Sequence, residues 1–206
     1  MPKPINHALR KHRIVSESVK LFAEKGFAQV NFGMLAEACG VSRTLLYTYF
    51  KDKREIFNEA IDEVTSRVAE KHAEVVKSRQ SADAKIRQIC ITVFAMLFDN
   101  RDFICVVADV LSDYRRKGIS AVEKVVRHTV GLKHIIYALL EEAIARGEYD
   151  KSVNPASATG LIYSQFEAAA LRIAVTGNAE LSESIDQMDS ILFSFRAAET
   201  AARRFR

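Results

Sequence analysis

The sequence predicts an all-α protein, on three observations. Gly (8) and Pro (3) are few among 206 residues and Trp is absent, which favours helices with short connections over a turn-rich sheet protein. Three capped helix starts fall between Asn31 and Glu55. Beyond them, apolar residues recur at spacings of three and four down the chain.

Residues 1 to about 8 read as an arm, with Lys3, Arg10 and Lys11 as the cations at this end of the chain, free to meet a polyanion or simply solvated. An amphipathic helix follows, with Ile14, Val15, Ser18, Val19, Leu21 and Phe22 facing inward and Gly26 as its stop. Asn31 is a good N-cap for a short helix whose apolar face is Leu35, Ala36 and Cys39. Gly40 then supplies the left-handed residue that closes it. Ser42 caps a second short helix, Arg43 to about Tyr49. Asp52 caps a third, and Glu55 three residues on completes a capping-box-like pair. That third helix runs to about Lys77. Its apolar stripe is Ile56, Phe57, Ala60, Ile61, Val64 and Val68, and Arg67, Glu70, Lys71 and Glu74 form the wet side.

Ser81 or Asp83 can cap the next helix, whose stripe is Ile86, Ile89, Cys90, Val93, Phe94 and Leu97. Asp99 to Asp102 break it. The helix after the break, Phe103 to Leu111, is apolar nearly all round and is expected in the interior, with Arg115, Arg116 and Lys117 suited to its C-terminal dipole. A long helix is expected from about Ser120 to Arg146, stopped by Gly147. Asn154-Pro155 starts another, rich in small residues and ended by Gly177. Ser182 and Glu183 begin the last, followed by a basic tail from Arg196.

The two short helices from Asn31 to Tyr49, with a tight turn between them, form a helix-turn-helix. In such a unit the second helix lies in the DNA major groove. Leu46 and Phe50 can hold that helix to its own core, leaving Arg43, Thr44, Tyr47 and Thr48 outward. Arg43 can donate twice to guanine, and Thr44 can meet a base edge or a thymine methyl. Leu45 favours thymine-methyl contact. Tyr47, Tyr49 and Lys53 can reach phosphate oxygens, and Asn31 can cap and still touch phosphate. The charge agrees. Residues 1–57 carry ten Lys and Arg against five Asp and Glu, a net +5, which leaves −1 of the chain's +4 for the remainder.

The run Leu21-Phe22-Ala23-Glu24-Lys25-Gly26-Phe27, then Leu35-Ala36, Ala38, Gly40-Val41-Ser42, Leu46-Tyr47, Phe50, Lys53 and Glu55-Ile56-Phe57 resembles the DNA-binding domain of TetR/AcrR-family transcriptional regulators. The resemblance covers about residues 10–60. It implies a three-helix, homeodomain-like DNA-binding domain over residues 1–57. A helical effector-binding and dimerisation domain would follow over 58–206, about nine helices in all. The expected DNA-binding residues are Asn31, Ser42, Arg43, Thr44, Leu45, Tyr47, Thr48, Tyr49 and Lys53. The implied partners are a palindromic duplex, a second copy held through the last two helices, and a small effector. An effector site would draw on Phe94, Phe98, Phe103, His128, Tyr137, Tyr163 and Phe166, with Tyr114 also available. Gln165, His128 or His134 would be its polar handles. Without a charge cluster, a largely apolar effector is expected. Its release of DNA would be a population shift.

Enzymatic motifs are missing: there is no GxSxG, no phosphate-cradling Gly-rich loop and no HExxH, and the five histidines lack metal-ligand spacing. No cofactor and no catalytic residue is expected. Cys39, Cys90 and Cys105 lie too far apart for a CxxC and read as small buried hydrophobes. No apolar run approaches a membrane span and the N-terminus has no secretory h-region, so the expected compartment is the cytoplasm, with no membrane partner. Two alternatives stay open. The chain could be a helical protein-interaction module, or a transcriptional activator using the same DNA-binding domain.

Overall fold

A computed structural model describes residues 7–118, 123–177 and 179–196, the side chains of 123–129 excepted. The arm residue Lys3, the stretch 119–122 and the tail beyond Arg196 lie outside the described residues. The described chain forms nine helices: α1 His7–Lys25, α2 Phe32–Ala38, α3 Arg43–Tyr49, α4 Lys53–Lys77, α5 Ala82–Asp99, α6 Arg101–Arg116, α7 Glu123–Ala145, α8 Pro155–Thr176 and α9 Leu181–Phe195. The fold is all-α.

Local chemistry sets the helix ends. The Asn31 side chain accepts from the amides of Gly33 and Met34, at 2.9 and 3.1 Å. Ser42 accepts from Leu45, Ser81 from Ala84, and Asn154 from Ser157 with Pro155 in the first turn. Asp52 Oδ1 accepts from the amides of Arg54 and Glu55, while the Glu55 carboxylate accepts from the Lys51 amide. Gly26 and Gly40 turn the chain at φ values of 80° and 64°, which a Cβ would strain.

The packing divides the chain into two compact units. One is Met1–Thr65 with Arg101–Val125; the other is Ser66–Asn100 with Val126–Arg206. These units differ from a division at residue 57. Helix α6 packs on α1 within the first unit, and Phe103 lies 6.3 Å from the Phe57 ring, centroid to centroid. The first core is built from Ile14, Phe22, Leu35, Leu46, Phe50 and Ile56, all buried. The expected interior position of α6 is corrected: Phe103, Ile104, Val106 and Val110 are buried, but Ala108, Asp109 and Ser112 are exposed. One face of α6 is in water.

In the second unit α5 packs against α8 and α9. Arg87 makes a two-pronged ion pair with Asp189, both contacts at 2.7 Å. A part-buried polar cluster ties the loop after α7 to the start of α5 and the end of α9. Glu148 accepts from the amides of Ala82 and Asp83. Asp83 accepts from the Tyr149 hydroxyl at 2.9 Å and from Arg196 Nη2 at 2.8 Å. Tyr149 is fully buried, and burial beside the Asp83 charge pushes its phenol far above the usual range.

Candidate nucleic-acid interface

Helix α3 presents a polar face on a rigid base. Leu46 and Phe50 are fully buried and anchor it. Arg43, Thr44, Tyr47 and Thr48, at positions i, i+1, i+4 and i+5, share the opposite face and are exposed. Tyr47 keeps 52% of its surface accessible while its ring rests on Phe32, with centroids 4.6 Å apart. The α2 residue thus braces the α3 residue. Thr48 turns its hydroxyl back to the Leu45 carbonyl at 2.7 Å. Tyr49 is half-buried, its hydroxyl 2.9 Å from His7 Nδ1. Ser42 and Asn31 are exposed, but their oxygens serve as caps. Leu45 is half-buried.

Lys53 requires a correction. Its ammonium donates to three carbonyl oxygens of the loop between α1 and α2: Phe27 at 2.7 Å, Ala28 at 3.0 Å and Val30 at 2.9 Å. It also lies 4.8 Å from the centre of the Phe27 ring. An ammonium has three donors, and all three are engaged. Burial, followed by the Lys117 charge, holds its pKa below the usual lysine value. In this arrangement Lys53 fixes the loop that carries Asn31 instead of reaching for phosphate.

The expected effector residues come from both units. Phe94 and Phe166 meet edge to face at 5.1 Å, and Tyr163 meets Phe166 at 6.0 Å. Phe98 is also buried in this second unit. Phe103 is a residue of the first unit, where it meets the Phe57 ring. Tyr137 is 38% exposed on this chain and His134 is exposed, so neither is enclosed by it. Tyr114 also sits in the first unit, under Arg54. Gln165 is half-buried, and the His128 side chain lies outside the described residues.

Sequence reasoning missed His72. It is 4% exposed on α4, and its Nε2 has no hydrogen-bond partner. Burial lowers its pKa. The signal was present, since His72 continues the stripe four residues after Val68.

Residues 14–60 match the family model described as bacterial regulatory proteins, tetR family. A fatty acid metabolism regulator protein of Bacillus subtilis (strain 168) is 23% identical over 151 residues, 73% of this chain and 76% of that protein. The transcriptional regulator AcrR of Shigella flexneri is 34% identical over 61 residues, 30% of this chain and 28% of that one. Among solved structures, the transcriptional regulator FadR from Bacillus subtilis in complex with stearoyl-CoA superposes with a TM-score of 0.69. The identity is 21%, covering 88% of this chain and 95% of that one. These relatives are regulators, not enzymes. Residues 14–60 are a TetR-family DNA-binding domain of the kind these transcriptional regulators carry.

Proposed function

We propose that the chain is a repressor that binds a palindromic operator as a homodimer and releases it on binding a small, largely apolar effector. The observation that carries the DNA reading is the α3 face. Arg43, Thr44 and Tyr47 are exposed on a helix that is capped by Ser42 and clamped by Leu46 and Phe50. Such a helix enters a major groove without rearrangement, and a dimer places two of them about one turn apart.

Exposed apolar residues on the last two helices support the second copy. Leu161, Leu171 and Val175 of α8 and Phe193 of α9 are 44, 64, 72 and 42% exposed. Such a surface favours burial against a like surface. The buried aromatics Phe94, Phe98 and Phe166, with the half-buried Tyr163 beside them, support an apolar effector site. With a relative solved bound to stearoyl-CoA, the effector class we propose is a long-chain acyl thioester, whose acyl chain is the apolar part such a site would take. Helix α4 contains residues of both units, so it is a covalent route from effector site to reading helix. The site of action would be the cytoplasm.

The test is selection of bound duplexes from a random pool, followed by release with stearoyl-CoA. A palindromic consensus released by the thioester supports the proposal. Selection without consensus, or binding indifferent to acyl thioesters, removes the operator or the effector part respectively.

A further inference from the structure

A groove of about 480 Å³ opens in the first unit between the start of α1 and the turn leading into α3. Its floor is apolar, with Ile14, Val41 and Leu45, and its walls carry Arg10 and Arg13. Among the described residues, no acidic side chain lines it. Of the three lysines of α1, Lys11 pairs with Glu59 and Lys20 with Glu17 at 3.0 Å, and Lys25, at the far end of the helix, does not line the groove. Among the described residues, Arg10 and Arg13 have no hydrogen-bond or ion-pair partner. Two guanidinium groups beside one groove, with no anion to neutralise them, favour an anionic occupant.

The groove is continuous with the proposed reading surface. Ser42, which caps α3, and Leu45, on α3 itself, line it. A strand crossing the start of α3 therefore passes these arginines.

We propose that this groove seats the sugar–phosphate backbone of the strand that flanks α3, with Arg10 and Arg13 each donating to a phosphate. The inference rests on the DNA-binding proposal and adds α1 to the surface. These contacts set register and affinity and carry no base information. Lys11, the neighbouring α1 cation, is excluded because Glu59 holds it.

The experiment measures duplex affinity against salt for the full chain, using a selected operator duplex and a random-sequence duplex. Each phosphate contact contributes about 0.9 to the slope of log affinity against log salt. In a dimer Arg10→Gln removes two such contacts, so its slope falls by about 1.8. Arg13→Gln behaves alike. Both variants weaken operator and random duplex alike, leaving their ratio intact. Arg10→Lys and Arg13→Lys retain the slope, and Lys20→Gln, outside the groove, does not change it. Unaltered thermal melting of each variant checks the fold.

If Arg10→Gln and Arg13→Gln bind as wild type while Arg43→Ala loses the operator, the groove assignment alone is overturned. If the wild type shows no salt-dependent duplex binding, the DNA-binding proposal falls and takes this one with it. An unchanged slope together with NMR shifts at Val41 and Leu45 on adding octanoate overturns the assignment in favour of a small ligand.

Discussion

Replacing Lys53 by Met keeps most of the stem volume over Phe27 and deletes the ammonium. Three carbonyl oxygens at 2.7, 3.0 and 2.9 Å then lose their shared donor. A hydrogen bond to a charged group contributes about 1.5–3 kcal/mol net. The three do not add, because one ammonium serves all of them and water can reach the Ala28 carbonyl. A loss of about 2–3 kcal/mol follows. In a chain of this size that lowers the melting temperature by about 4–12 °C, and the shift falls on the first unit if the two units melt separately. Lys53→Arg keeps the charge but not the tripod, since a planar guanidinium cannot point three donors at convergent oxygens. It should not restore stability. Calorimetry and DNA binding together decide the matter. A Lys53→Met protein within about 0.5 kcal/mol of wild type, with a salt slope reduced by about 0.9 per contact, would refute the clamp and reinstate Lys53 as a phosphate contact.

Three further predictions follow from single features. His72 is buried with a lowered pKa, so the unfolded chain binds a proton there near pH 6.5 while the folded chain resists it. Stability is therefore lost as pH falls from 7 to 5, by up to about 1.4 kcal/mol per unit. Urea titrations should show that His72→Leu removes this component. Asp83→Ala strands the part-buried Arg196 and the buried Tyr149 hydroxyl and should cost about 1–3 kcal/mol, read by urea denaturation with Asp150→Ala, an exposed turn residue, as the control. Leu171→Glu with Val175→Glu places charge on the exposed apolar face of α8. Sedimentation should show a folded monomer, and a dimer that persists would move the interface elsewhere.

What could be read from the residues was local. Asn31, Ser42, Ser81 and Asn154 cap their helices because a cap needs only a side-chain oxygen and the amides two or three residues ahead. Leu46 and Phe50 are buried and Arg43 and Tyr47 exposed because helical spacing divides those faces. What escaped depended on distant segments. Lys53 sits 23 residues from one of its carbonyl partners, Val30, and nothing in the sequence chooses a folded loop over a phosphate. Phe103 was correctly apolar, but a stripe states that a ring is buried and not against what, and Phe57 claims it. Asp83 looked like a cap, yet it serves Tyr149 and Arg196, the latter 113 residues away. His72 was hidden by its residue type, although its position in the α4 stripe was plain.

The central claim is that the outer face of α3 inspects bases. Its most direct measurement is the ratio of operator to random-duplex affinity at fixed salt, for wild type and for Arg43→Ala. A bidentate arginine–guanine contact is worth about 1–3 kcal/mol of discrimination, so the ratio should fall by about 5- to 150-fold per half-site, with random-duplex binding reduced only by the loss of one charge. A ratio unchanged by Arg43→Ala would contradict the account.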